Sequence, residues 1–446
     1  MGKFFGTDGI RGVVGETLTA DLAFRTGKAI AVVLQKEKKH APFIMIGKDT
    51  RISSDMLEAA LTAGICAMGG TVMPLGVMPT PAVAFLTVSQ KADAGIVISA
   101  SHNPYEHNGI KVFNEKGYKL SDALEAAVEE LILSNDVPDA KFDALGVVRK
   151  GEAEAHRAYV SHLASSIKSD LSGLRILVDC SNGASGVTAP ELFAALRCTA
   201  DFIHSEPNGI NINDQCGSTH LEDLQKRVVE GKYDIGVAFD GDADRCLLVD
   251  EKGDVIDGDQ VLAVCAANMR KRGVLKDDAI VATVMSNLGL HEFCKQNGFR
   301  LFCTDVGDRH VLEKMLECGY GLGGEQSGHT IFSEFATTGD GELTALQFLQ
   351  ILAEEKVSAS ALCGICKRYP QVLVNVKIAG GNAEKERILQ DVKLQNAIES
   401  EVAALNGEGR VLVRPSGTEP LIRVMVEAKT ELLAQSVAER LAGMIG

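Results

Sequence analysis

Phe43-Ile-Met-Ile46 is an apolar run of strand length, and Gly47-Lys-Asp-Thr-Arg51 closes it with a polar turn. Leu57, Leu61, Ile65 and Met68 then recur at helical spacing. A strand, a turn and an amphipathic helix are therefore expected in succession. The pattern returns twice. Ile176-Leu-Val-Asp179 leads into Cys180-Ser-Asn-Gly-Ala-Ser-Gly186, and Ala279-Ile-Val-Ala-Thr-Val284 leads into Met285-Ser-Asn-Leu-Gly289. Strands alternating with helices predict βαβ units and parallel or mixed sheets. Three such blocks predict an α/β protein with three similar mixed-sheet domains.

The C-terminal stretch reads differently. Val374, Val376 and Ile378 alternate with polar residues, and Arg410-Val-Leu-Val413 and Leu421-Ile-Arg-Val-Met-Val426 read as two further strands. Thr430 is placed as a helix N-cap before a face of Leu433, Val437, Leu441 and Met444. This predicts a small α+β domain. The expected boundaries give 1–150, 151–253, 254–368 and 369–446.

Length and composition agree with several domains. The chain has 446 residues, of which 46% are hydrophobic and 24% charged, so a packed globular protein is expected rather than a disordered one. The net charge of −15 repels nucleic acid and anionic membrane, so neither is an expected partner, and an anionic substrate needs a locally basic pocket. No apolar run reaches the ~18 residues that span a bilayer. The 11 Cys, with no secretory signal before them, suit reduced thiols in the cytoplasm.

Five segments carry residues suited to chemistry. Ile96-Val-Ile-Ser-Ala-Ser101-His-Asn-Pro104 ends a buried strand on Ser101, where ligands of open α/β sheets bind. His102 follows it, and Lys111 lies close enough in sequence to offset phosphate charge. Turn chemistry explains the same residues. Asp240-Gly-Asp242-Ala-Asp244-Arg245 puts three carboxylates at alternate positions, which an extended chain would point to one side. Three like charges so close favour a divalent cation, and an all-oxygen donor set favours Mg²⁺ over zinc. An EF-hand loop would need Gly where Arg245 stands, a phosphatase of the DxDxT type would need Thr or Val where Asp244 stands, and a solvated acidic turn is the remaining reading. Gly323-Gly-Glu325-Gln-Ser327-Gly-His329 offers acceptors and donors to sugar hydroxyls, or is a polar turn. Arg414-Pro-Ser416-Gly417-Thr418-Glu-Pro420, with Arg423, offers an oxyanion cradle, or a hairpin turn with surface arginines. Gly6-Thr-Asp-Gly-Ile-Arg11-Gly12 reads as a bent loop holding Arg11.

These segments, taken in chain order from Gly6 to Pro420 and so along nearly the whole chain, resemble the α-D-phosphohexomutases. The resemblance implies three related α/β domains and a C-terminal domain of TATA-box-binding-protein-like fold. It implies that Ser101 is a phosphoserine and that Asp240, Asp242 and Asp244 hold Mg²⁺ together with the Ser101 phosphate. Arg11 and Lys111 would act on the transferring group, with His102 a further catalytic candidate. Glu325, Ser327 and His329 would contact the sugar, and Arg414, Ser416, Gly417, Thr418 and Arg423 the distal phosphate. Gln326 is similar to the amino-sugar branch. That implies interconversion of glucosamine 6-phosphate and glucosamine 1-phosphate through a 1,6-bisphosphate, which also serves as primer, towards UDP-N-acetylglucosamine and cell-wall precursors. The phosphomannomutase/phosphoglucomutase branch is the alternative. By analogy the resemblance implies a homodimer, with the first phosphate on Ser101 coming from a kinase or from the bisphosphate. A non-catalytic sugar-phosphate sensor is a further reading. Two departures stand out: Ala243 where many relatives have Gly, and Pro415 where some have Lys.

Overall fold

The computed structural model describes residues 4–6, 8–134, 137–416 and 420–445. The chain divides into two compact units, 1–284 with 302–364 and 285–301 with 365–446.

The first unit contains the three α/β layers. Its largest sheet runs Phe5–Gly6, Gly9–Val13, His107–Asn114, Ala94–Ile98, Phe43–Lys48, Thr71–Val77. Phe43–Lys48 is parallel to both its neighbours, and the strands beyond Ala94–Ile98 are antiparallel. Ile44, Met45, Ile46, Ile96, Val97 and Ile98 are fully buried, as a strand covered on both faces requires. Each such side chain contributes roughly 1.5–3 kcal/mol of burial. Helices Ala20–Lys38 and Ser54–Ala67 cover the sheet, the first capped by Thr19, whose side chain accepts from Leu22 N–H.

The second sheet runs Val255–Ile256, Cys246–Asp250, Ile235–Phe239, Arg175–Asp179, Thr199–Ile203, again parallel at one end and antiparallel at the other. In the third, Ala279–Thr283 lies parallel to Leu322–Gly324, which pairs antiparallel with Thr330–Phe332. The three expected strands are therefore present, each followed by a turn and a helix.

The second unit is a three-stranded antiparallel sheet, with Leu421–Ala428 between Gln371–Lys377 and Gly409–Pro415, packed against helix Glu431–Ala442. Thr430 caps that helix by accepting from Leu433 N–H. The buried face differs from the expected one. Ala434, Val437, Ala438 and Leu441 are buried, while Leu433 and Met444 are exposed. Two small alanines let the helix lie close on the sheet, and Met444 falls beyond its last turn. Helix Leu288–Asn297, which follows the third α/β strand, belongs to this unit. The fully buried Glu427 accepts from Leu288 N–H at 2.8 Å, placing a carboxylate at that helix's N-terminus.

All 11 cysteines are free thiols. Among the described residues no helix is long and apolar enough to cross a membrane.

Candidate active site

Strand Ala94–Ile98 delivers Ser101 into a turn with φ of 54°, a left-handed backbone uncommon for residues other than glycine. The residue is 2% exposed. Buried groups hold this turn in place. Arg51 Nη2 donates to Ser101 O at 3.1 Å and to Asn103 O at 2.5 Å, and Asn213 Nδ2 donates to the same two carbonyls at 2.9 and 3.1 Å. Arg51 is itself paired with Asp49. The Ser101 hydroxyl donates to Asp240 Oδ2 at 2.6 Å.

Asp240 begins the segment after strand Ile235–Phe239, so both loops leave the carboxyl ends of their strands. The three carboxylates meet through a turn, not through the strand alternation expected from sequence, because Ala243 has φ of 55° and bends the chain between Asp242 and Asp244. One ligand atom from each of Asp240, Asp242 and Asp244 lies within 4.8 Å of the others, and all three residues are buried. Asp242 Oδ2 accepts from Thr80 Oγ1 at 2.6 Å and Lys111 Nζ at 2.9 Å. Asp242 Oδ1 and Asp244 Oδ1 are buried with no hydrogen-bond partner among the described residues. Two orphaned carboxylate oxygens facing a third acid suit a hard divalent cation. Without one, burial and the charges of Asp244 and Asp242 push Asp240 well above the ordinary carboxylate range. Burial pushes Asp244 the same way, but Lys111, His329 and Arg245 outweigh it and hold it low.

Lys111 pairs across from Val97 on strand His107–Asn114 and is 3% exposed. Burial disfavours its charge, yet Asp242, Asp8 and Asp244 prevail and keep it protonated. Arg11 pairs across from Gly109, where a Cβ would lie 3.1 Å from Arg11 Cγ and 2.6 Å from Ser99 O. A larger residue at 109 would displace either the guanidinium or the segment leading to Ser101. Asp8 pairs with Arg11, and its Oδ2 is 3.3 Å from Lys111 Nζ. His102 is pushed down to about 4 by burial and by the charges of Arg245 and Arg11. It is therefore neutral near pH 7. Its Nδ1 is 3.3 Å from Arg245 Nη1 and 3.4 Å from Ser101 Oγ, so its lone pair faces a guanidinium and a hydroxyl.

The glycine-rich segment forms the tip of the hairpin between Leu322–Gly324 and Thr330–Phe332. It is joined to the acidic loop by a backbone bridge between Arg245 and His329 and by Cys246 N–H donating to Gly328 O at 3.0 Å. Gly328 has φ of 96°, and a Cβ there would sit 2.4 Å from Cys246 O, so both space and backbone require glycine. Glu325 Oε1 accepts from Gly307 N–H at 3.2 Å. His329 is 3% exposed, with Nδ1 3.7 Å from Asp244 Oδ2. Asp244 and Asp308 favour a protonated ring, while burial opposes it. The acids prevail and push its pKa up to about 9, and Gly339 N lies 3.1 Å from Nε2.

Ser101, Arg11, Asp244, Arg245, Glu325, Ser327 and His329 line one cavity of about 660 Å³. Sequence reasoning missed Asp8, Asp308 and Arg309, which share this lining, as well as Arg51, Asn213 and Thr80. Arg51 and Asp8 lay within quoted turns, but their charges gave no sign of direction. Asn213 and Thr80 carried no such signal.

The cradle residues lie in the second unit. Arg414 and Arg423 are direct cross-strand partners. Ser416 is 3% exposed, and its carbonyl accepts from Lys385 Nζ at 2.7 Å. Gly417 and Thr418, as well as Thr7 of the N-terminal loop, lie outside the described residues. One further mixed group, Asp179, His204 and Cys216, gathers in the first unit. Asp179 there accepts from Ser181 N–H at 2.8 Å and Gly217 N–H at 2.9 Å, so it acts as a clamp on two loops.

Comparison with known proteins follows this layout. Descriptions of the phosphoglucomutase/phosphomannomutase family match in sequence: alpha/beta/alpha domain I over residues 2–138, domain II over 157–253, domain III over 257–369 and the C-terminal domain over 373–444. The chain is 51% identical to the phosphoglucosamine mutase of Clostridium botulinum (strain Langeland / NCTC 10281 / Type F) over 447 residues, covering 100% of this chain and 99% of that one. It is 52% identical to the phosphoglucosamine mutase of Acetivibrio thermocellus over 430 residues, covering 96% and 95%. Among solved structures, a phosphoglucomutase/phosphomannomutase family protein from Burkholderia thailandensis superposes with a TM-score of 0.80 at 26% identity, covering 98% and 96%. The Aspergillus fumigatus N-acetylphosphoglucosamine mutase, solved with GlcNAc-6P and magnesium, superposes with a TM-score of 0.65 at 20% identity, covering 100% and 96%.

Proposed function

The chain belongs to the phosphoglucomutase/phosphomannomutase family, and from that membership we propose that it interconverts glucosamine 6-phosphate and glucosamine 1-phosphate. It is an isomerase that works through a phosphoserine at Ser101 and a 1,6-bisphosphate intermediate. The observation that carries the mechanism is the Ser101 hydroxyl, held in a strained turn 2.6 Å from Asp240.

Phospho-Ser101 gives its phosphoryl group to the C1 hydroxyl of glucosamine 6-phosphate: the P–Oγ bond breaks and a P–O1 bond forms. The bisphosphate turns around. Ser101 Oγ then attacks the 6-phosphate, the P–O6 bond breaks, and glucosamine 1-phosphate leaves. The C1 hydroxyl proton ends on Oγ in the first transfer, and the Oγ proton, directed at Asp240 Oδ2 in the unphosphorylated form, ends on O6 in the second. Arg11 and Lys111 keep fixed positive charge beside the group in flight, which is the main means of stabilising a metaphosphate-like transition state. Neutral His102 orients within the same turn. Asp240, Asp242 and Asp244, with the Ser101 phosphate, would hold Mg²⁺, which when bound supplies countercharge to the transferring phosphoryl group. Glu325, Ser327 and His329 grip the sugar hydroxyls. Arg414, Ser416, Gly417, Thr418 and Arg423 grip whichever phosphate is not reacting.

On this reading the reacting hydroxyl belongs to 1–150, the acidic loop to 151–253, the sugar loop to 254–368 and the phosphate grip to 369–446. A hexose 1,6-bisphosphate, glucosamine 1,6-bisphosphate above all, primes the first cycle, or a kinase phosphorylates Ser101. Sugar phosphates are the small-molecule partners. A homodimer working in the cytoplasm is the matching setting, since free thiols suit a reducing compartment.

The test is kcat/KM for glucosamine, glucose and mannose 6-phosphates, measured side by side with Mg²⁺ and primer. Preference for the amino sugar supports the proposal. Preference for glucose or mannose keeps the chemistry and overturns the substrate. Turnover of none overturns both.

A further inference from the structure

Lys119 does not touch the reacting hydroxyl, yet it sits at the joint of the site. Its Nζ is 2.7 Å from Asp8 Oδ1 and 2.7 Å from Asp308 Oδ2. Asp8 turns its other oxygen to Arg11 and Lys111, the two cations given to the phosphoryl group. Asp308 opens helix Asp308–Cys318, and the N–H of Gly307, one residue earlier, donates to Glu325 Oε1. A continuous chain therefore runs from Arg11 and Lys111 through Asp8, Lys119 and Asp308 to the loop that carries Glu325.

We propose that Lys119 is a positioning residue for phosphoryl transfer: by bridging Asp8 and Asp308 it fixes Arg11 and Lys111 relative to the sugar-gripping loop. This rests on the mutase reading above. The two bridged carboxylate oxygens are no farther apart than twice the 2.7 Å ion-pair distance. Without the ammonium between them they repel and separate. Asp8 is then drawn towards Arg11 and Lys111 alone, and both cations lose their registry with Ser101. A displacement of ~1 Å in such a group costs on the order of 100-fold in rate. A salt bridge serving only the fold would change stability and leave the turnover of folded protein alone.

The test uses the full chain with Lys119→Met, Lys119→Arg, Asp308→Asn and the double variant Lys119→Met/Asp308→Asn. Each is assayed with Mg²⁺ and primer on whichever of the three hexose 6-phosphates the unmodified protein turns over fastest. Lys119→Met is expected to lower kcat by ~10- to 100-fold with KM changed less than ~3-fold. Lys119→Arg is expected to restore most of the loss, since it can still bridge both acids. Adding Lys119→Met to Asp308→Asn is expected to cost less than Lys119→Met alone, because one end of the bridge is already gone. A kcat for Lys119→Met within twofold of the unmodified protein overturns the inference, as does a change confined to KM or a fully additive double variant. Should Lys119→Met fail to fold, a wild-type kcat in Asp308→Asn, which removes one end of the bridge, overturns it instead. An unmodified protein that turns over no hexose phosphate overturns the mutase reading and this inference with it.

Discussion

Arg414 and Arg423 stand directly opposite each other on neighbouring antiparallel strands. Like charges so placed destabilise a sheet, and burial together with Arg423 pushes the Arg414 guanidinium below its ordinary range. A bound dianion removes that cost and takes charge-assisted hydrogen bonds from both.

Arg414→Ala should therefore raise KM for the hexose phosphate by ~10- to 100-fold, the loss of one charge-assisted contact worth about 1.5–3 kcal/mol. Inorganic phosphate should raise the thermal midpoint of the unmodified protein more than that of the variant. Equal KM values and equal phosphate shifts would remove Arg414 from the grip.

Ser101→Ala should abolish mutase turnover and leave the far-ultraviolet spectrum and thermal midpoint near those of the unmodified protein. The side chain supplies one hydroxyl, which donates to Asp240 and lies 3.4 Å from His102 Nδ1, about 1 kcal/mol of stability. Turnover above one percent in a preparation free of the unmodified protein would require another nucleophile.

Mg²⁺ should stabilise the protein even without sugar, because it relieves three buried acids of their mutual repulsion. Chelation should lower the thermal midpoint and stop turnover. In Asp242→Asn the midpoint should respond less to Mg²⁺, which calorimetry or a melting scan would show. An identical response in both proteins would place the ion elsewhere.

Ala243 carries a left-handed backbone at φ of 55°. Strain of that kind costs an L-residue on the order of 1–2 kcal/mol, partly offset by the greater freedom of glycine in the unfolded chain. Ala243→Gly should thus stabilise the protein by roughly 0–1 kcal/mol, read as a higher urea midpoint for the first unit. A clear loss of stability would mean that the buried methyl group outweighs the strain.

His204 supplies the pH dependence. Its Nδ1 lies 3.0 Å from Asp179 Oδ2 and its Nε2 3.4 Å from Asp223 Oδ2. The hydrogen bond to Asp179 raises its affinity for a proton, burial opposes that, and the charges of Asp179 and Asp223 add to it, with Arg227 acting against. A folded value above the unfolded ~6.5 means stabilisation fully present below that pH and lost as pH rises through the folded value. The stability difference between the unmodified protein and His204→Gln should shrink between pH 6 and pH 9. A difference constant over that range would sink the argument.

Much of this architecture was legible in the residues. Phe43–Ile46, Ile176–Asp179 and Ala279–Thr283 are strands because apolar runs closed by polar turns leave few other options. Asp240, Asp242 and Asp244 announced themselves because three neighbouring acids are costly without a counter-ion. What stayed hidden depends on long-range approach. Asn213 and Arg51 hold the Ser101 turn from positions far away in sequence, and an asparagine in a loop has no local mark of its partner. Lys119 and Asp308 are likewise ordinary surface-type residues until the fold sets them 2.7 Å apart. The expected helix face with Leu433 and Met444 failed because spacing alone cannot tell which side of a short helix meets the sheet.

The left-handed turn at Ser101 has a consequence for the choice of hydroxyl. Threonine offers the same alcohol to a phosphoryl group, and as chemistry alone the two are near equals. A β-branched side chain does not fit readily at φ of 54°, within a turn held by Arg51 and Asn213. Ser101→Thr would have to unbend the backbone and let go of those contacts before its oxygen could point at Asp240. The choice of serine here is a matter of shape before reactivity, and an alcohol one methyl larger is excluded by the same bend that presents the serine.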